Sequence, residues 1–162
     1  MYTFYRKKPW SSKKFFLTMR KKNYYGKKLQ ITANGIGNKC SYGFFSRKGG
    51  ISDKDFKSLN CAFNGKDLEE NVIKNREIVR KKFKKNFVDL VLVNQVHSTK
   101  VIEVTHQNKI KKTADGLITK SKGLLLGILT ADCAPIIIIG VQYVAIIHVG
   151  WKGLLNGIIE KT

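Results

Sequence analysis

Cysteine is scarce in this 162-residue chain: Cys40, Cys61 and Cys133 are the only three, and no CxxC pair occurs. An odd, widely spaced set excludes a disulfide framework and points to a reducing compartment. Histidine is equally scarce, at three, and the only prolines are Pro9 and Pro135. Acidic residues are missing altogether before Asp53, whereas 13 of the 31 Lys and Arg fall within residues 1–52. The formal net charge of +20 is therefore weighted towards the N-terminal end. Long hydrophobic runs are also lacking. The most apolar stretch, 123–151, is cut by Asp132, Pro135, Gln142 and four glycines into pieces of strand length, not a membrane span. No apolar segment ahead of a small-residue cleavage site marks a secretory signal. These absences predict a soluble, cytoplasmic protein without a membrane partner.

What is present suits one domain. Hydrophobic residues make up 43% of the chain, and a chain of this size buries roughly 70% of its unfolded surface. Residues 1–30 read as a basic, poorly ordered arm in which Lys and Arg pairs alternate with aromatics. Such a segment suits weak, non-specific contact with nucleic acid, the charges following phosphates and the rings stacking on bases. The domain proper is expected over 31–162. "KCSYGFFSRKGGIS" (39–52) reads as a strand ending in a glycine turn, and "FKSLNCAFN" (56–64) as a second strand. A helix is predicted from Asp67, with Glu70 three residues on as in a capping box. Leu68, Val72, Val79 and Phe83 would share its apolar face, and the basic run Arg80–Lys82 suits its C-terminal dipole. "VDLVLVNQVHSTKVIEV" (88–104) reads as a strand pair or one bent strand, with Val91, Val93, Gln95 and His97 on one face. Residues 113–151 supply up to four more strands, and "KGLLNGIIEKT" opens like a helix.

Three residues at the ends of core strands carry metal-binding chemistry: His97 in "NQVHS", Cys133 in "TADCAP" and His148 in "IIHVGWKG". Two imidazoles and a thiolate suit Zn²⁺, and three protein ligands with a fourth position open is the pattern of catalytic zinc. The spacing lacks the close ligand pairs of structural zinc sites, so hydrogen-bonded core histidines and a buried cysteine are the competing reading. Gln95 is a candidate for supporting His97 or touching substrate. Asp132 is expected to support a neighbouring loop, Asp115 in "ADGLIT" to be a turn residue, and His106 to be an unassigned surface group.

In chain order, "YGFFSRKGG", "SLN", "ENVIKNRE", "NQVHS", "ADGLIT", "TADCAP" and "HVGWKG" resemble the YfiH/laccase-domain family, from about Tyr42 to the last residue. The resemblance implies a layered α/β (α+β) sandwich of mixed β-sheets flanked by helices. It implies zinc ligation by His97, Cys133 and His148 at the active site. It further implies phosphorolysis of purine nucleosides (adenosine, inosine, guanosine, methylthioadenosine), with adenosine deamination as a related activity. Purine nucleosides and phosphate are then the expected partners, and Arg47 with Lys48 beside the glycines of "SRKGG" the expected phosphate contact. Copper fits less well, because a multicopper assembly needs more than three histidines and the only methionines are Met1 and Met19. The family's arginine after "GW" is Lys152 here, which keeps the charge for an anion contact but loses the bidentate fork. Family members continue past this helix, so the domain reads as truncated at its C-terminal end. A non-specific nucleic-acid-binding protein and an inactive fragment of the family are the alternative functions.

Overall fold

The computed structural model describes residues 2–7, 40–63, 65–83, 89–106 and 112–162. The apolar runs form its central strands. β6 (Leu124–Leu129) and β8 (Val144–Val149) are buried almost throughout, as expected of strands covered on both faces. Sheet 1 has the order β2 (Cys40–Phe45), β1 (Tyr2–Lys7), β6, β3 (Asp89–Val91). Sheet 2 has the order β4 (Val101–Glu103), β5 (Gly116–Thr119), β8, β7 (Ala134–Ile139). Both sheets are mixed: β3 runs parallel to β6 and β4 parallel to β5, and the other pairings are antiparallel.

Strand alternation sorts the side chains into layers. Leu124, Leu126 and Ile128 of β6 meet Leu117 and Ile146 between the sheets. On the opposite face of β6, Leu125 packs with Val79 and Phe83 of the segment containing α1 (Glu69–Lys82). On the far side of sheet 2, Ile147 and Val149 pack on Ile158, beyond the short helix α2 (Trp151–Leu155). The result is the expected layered sandwich of two mixed sheets with a helix on each side.

Several local expectations change. Residues 56–63, the described part of the expected second strand, do not form one: Lys54–Phe56 is a 3-10 turn, and the backbone that follows bonds to groups other than a neighbouring strand. Ser58 and Leu59 N–H both donate to the Arg47 carbonyl, and buried Asn75 of α1 donates to the carbonyls of Ser58 and Asn60. Helix α1 starts at Glu69 with Leu68 as its N-cap, and no side chain caps it. The Asp67 carboxylate instead accepts from Ser52 Oγ and Asn60 Nδ2, tying the loop to the helix start. Leu68 lies outside the helical repeat with extended backbone and is exposed, whereas Val72, Val79 and Phe83 are buried as expected. Within the basic arm, Tyr2–Lys7 lies between β2 and β6, so this piece belongs to the sheet. The rest of the arm lies outside the described residues. No helix among the described residues is long and apolar enough to cross a membrane.

Candidate metal centre

Strand register brings two of the three expected ligands, Cys133 and His148, to one end of sheet 2. Ala134 of β7 pairs with Val149 of β8, and Pro135 with His148, so Cys133, just before β7, arrives beside the end of β8. Gly116 of β5 pairs with Ile147 on the other side of β8. This sets Asp115 next to His148, whose N–H donates to the Asp115 carbonyl at 2.7 Å. His97 comes from the loop joining β3 in sheet 1 to β4 in sheet 2. Regular strand geometry ends at Val91, and His97 has φ of 60°, so face alternation does not place it. Contacts with Asp115 do.

Asp115 is wholly buried and accepts hydrogen bonds from five donors. Oδ1 takes the N–H of His97 at 3.0 Å and Nδ1 of His148 at 2.8 Å. Oδ2 takes the N–H groups of Val96 at 3.2 Å and Ser98 at 2.6 Å, and Ser98 Oγ at 2.8 Å. Burial pushes its pKa up, but the bonds from His148, Ser98 and Val96 outweigh it and hold the carboxyl below the usual range.

The ligand atoms of His97, Cys133 and His148 all lie within 4.8 Å of one another. Cys133 Sγ is 3.6 Å from His97 Nε2. Tetrahedral Zn–N and Zn–S bonds of ordinary length require an N···S separation of about 3.6 Å, so this pair is already spaced for a shared ion. The imidazole rings of His97 and His148 lie 4.7 Å apart at 72°. His148 is buried, Cys133 half-buried and His97 exposed, which leaves the cluster open towards the His97 side. Donor set, count and spacing fit a three-ligand zinc site.

Burial, and then the negative charge of Asp132, hold the Cys133 thiol above its ordinary value, so metal binding must release a proton. Cys61 is fully buried, and that burial pushes its thiol up to about 12 against a smaller opposing effect of Arg76. Because the thiolate is the reactive form, a thiol reagent is expected to modify Cys133 in the metal-free protein and to spare Cys61 until unfolding. Bound zinc is expected to protect Cys133. Peptide mass mapping over a time course checks both.

The other expected site residues are placed differently. Gln95 clamps the backbone of Leu129 at the end of β6: Nε2 donates to its carbonyl at 2.7 Å and Oε1 accepts its N–H at 2.8 Å. It joins the loop to sheet 1 instead of serving the histidines. Arg47 is exposed and donates through Nε to the Lys57 carbonyl at 2.8 Å. The backbone N–H groups beside it are not available to phosphate. Those of Gly49 and Gly50 donate to Ser58 Oγ, and that of Ile51 to Asn75 Oδ1. Lys152 Nζ sits 5.5 Å from the centroid of the Trp151 ring.

Two contributors escaped the sequence reading. Asp115 resembled a turn residue because an Asp–Gly pair ahead of an apolar run is a common turn signal. Gly150 was visible in "HVGWKG" without a reason. A Cβ there would lie 2.6 Å from His97 Cδ2 and 3.3 Å from Cys133 Sγ, so only glycine leaves room for the ligands.

A two-sheet sandwich carrying a His–Cys–His cluster at one end of its second sheet defines a protein with a candidate metal centre. The comparisons narrow this. The family model for multi-copper polyphenol oxidoreductase laccase matches residues 41–162, and the chain belongs to that family. Among curated relatives, it is 32% identical over 127 residues to "Purine nucleoside phosphorylase YlmD" of Bacillus subtilis, covering 72% of this chain and 46% of that protein. It is 31% identical to "Purine nucleoside phosphorylase YfiH" of Shigella flexneri, covering 72% and 48%. The crystal structure of Bacillus licheniformis hypothetical protein YfiH superposes with a TM-score of 0.66 at 32% identity, covering 74% of this chain and 49% of that one. A Neisseria meningitidis structure gives 0.66 at 31%, covering 73% and 48%. The chain spans about half the length of the relatives it matches.

Proposed function

We propose that this protein acts as a zinc-dependent purine nucleoside phosphorylase, with adenosine, inosine, guanosine and methylthioadenosine as substrates and adenosine deamination as a second reaction. The convergence of His97, Cys133 and His148 carries this reading, together with the names of the relatives. Zinc fits better than copper because the chain's three histidines cannot build a multicopper assembly, and no methionine other than Met1 and Met19 exists to serve as axial ligand.

Bound zinc would supply Lewis acidity towards a substrate oxygen or a water of lowered pKa, the latter serving deamination. In phosphorolysis a phosphate oxygen forms the new bond at the sugar's anomeric carbon while the glycosidic C–N bond breaks, and the purine leaves with the electron pair. His97, Cys133 and His148 would hold the metal. Arg47 and Lys152 are the cations proposed to meet the phosphate. Trp151, exposed directly after Gly150, offers an aromatic face to the purine.

The test is to incubate zinc-loaded protein with inosine and phosphate and to separate the products by chromatography. Hypoxanthine and ribose 1-phosphate are expected, and both should vanish without phosphate or after chelation. Folded, zinc-loaded protein that releases no base would overturn the reading. Base stacking on an aromatic contributes roughly 1–3 kcal/mol, so Trp151→Ala is expected to raise the nucleoside KM about tenfold with a smaller change in kcat. The basic arm behind the nucleic-acid reading lies, apart from Tyr2–Lys7, outside the described residues.

A further inference from the structure

Asp115 has no part in binding substrate in this reading, yet it is the most heavily bonded side chain at the site. A buried carboxylate is expensive unless its oxygens are satisfied, and here five donors converge on it. Three of them are the successive N–H groups of Val96, His97 and Ser98. Consecutive amides reach one carboxylate only if the chain curls, and the curl includes the left-handed backbone of His97, a conformation costing a non-glycine residue roughly 1–2 kcal/mol. The carboxylate therefore offsets the strain of the loop that presents one ligand. The same Oδ1 atom takes Nδ1 of the second ligand, His148. A carboxylate only accepts, so Nδ1 must carry the hydrogen, and in the neutral ring that tautomer leaves the lone pair of Nε2 for a metal.

We infer that Asp115 is the positioning residue of the metal centre: one carboxylate sets the tautomer of His148 and the backbone of His97, so the two nitrogens are arranged before an ion arrives. The inference rests on the cluster being a metal site, as proposed above. The backbone of Asp115 strengthens the arrangement, its N–H donating to the Lys100 carbonyl ahead of β4 and its carbonyl accepting from His148 in β8. The residue thus links β4, β5, β8 and the His97 loop.

Two measurements test it. The first is the histidine tautomer in metal-free wild-type protein, read by long-range ¹H–¹⁵N NMR. His148 is expected to carry hydrogen on Nδ1, and a neutral ring protonated on Nε2 would overturn the inference. The second is zinc affinity, by competition with a chromophoric chelator, in wild type and Asp115→Asn. Asparagine is isosteric but presents an NH₂ group to donors, so Kd is expected to rise roughly 10–100-fold, and the tautomer preference of His148 to weaken. A folded Asp115→Asn protein with Kd within twofold of wild type would overturn it. Should that variant fail to fold, Ser98→Ala removes one bond to Oδ2 and keeps the backbone donors. A several-fold rise in Kd is then expected, and none would count against the inference. Wild-type protein that binds no zinc would refute the metal reading instead, with the tautomer still deciding the role of Asp115.

Discussion

Replacing Cys133 with alanine is expected to abolish stoichiometric zinc binding and leave the fold in place. Two histidines would remain, fewer than the three protein ligands that hold a catalytic zinc, and among the described residues nothing else at the cluster offers a thiolate. The fold should survive because Cys133 is half-buried at a strand end and belongs to none of the apolar clusters. Removing its sulfur is expected to change stability by less than about 1 kcal/mol. Metal content by mass spectrometry, measured beside a thermal melt, separates the outcomes. One zinc per chain retained in the variant would rule out Cys133 as a ligand. An unfolded variant would assign it a structural role that the geometry does not give it. Phosphorolysis, if zinc-dependent, should disappear with the metal.

Gly150→Ala is expected to cost about 100-fold or more in zinc affinity, beyond the usual loss when a supporting residue around a metal site is changed. The reason is space, not backbone freedom. Gly150 has φ −79° and ψ 163°, which alanine adopts without strain. Its Cβ, however, would stand 2.6 Å from His97 Cδ2 and 3.4 Å from His97 Nε2. The His97 ring must move, and its backbone cannot follow freely because its N–H is held by Asp115. The melting temperature should therefore stay close to wild type while metal binding fails. Isothermal titration with zinc and a melt of the metal-free protein give the two readings. Unchanged affinity would mean that His97 relaxes out of the way and that the close approach has no functional weight.

The two substitutions act on different layers of the site, and the sequence exposed them unequally. Cys133 stood out because an Asp–Cys–Ala–Pro step interrupts an apolar run, and because its motif lies in family order with those of His97 and His148. Gly150 was equally visible and equally part of a motif, but its purpose depends on what stands opposite it. Cys133 and His97 arrive there from other parts of the chain. Gln95 shows the opposite error. Alternation placed it beside His97, but the strand stops at Val91, and both ends of its amide are taken by Leu129. The "SRKGG" turn fared similarly. Its glycines are where they were expected, with Gly49 at positive φ, while their N–H groups already have partners in Ser58.

The sequence by itself determined the apolar strands between 113 and 151, the buried face that Val72 and Val79 give α1, and three residues of metal-ligating type. These follow from residue type and local period, which are properties of contiguous chain. Tertiary structure alone decided that Asp115 serves two histidines, that Gln95 serves a strand, and that the backbone at Ser58 and Asn60 bonds to Asn75 instead of joining a sheet. Each of those outcomes is a hydrogen bond between residues far apart in sequence, and a buried polar group's partner is chosen by which elements the fold brings alongside it.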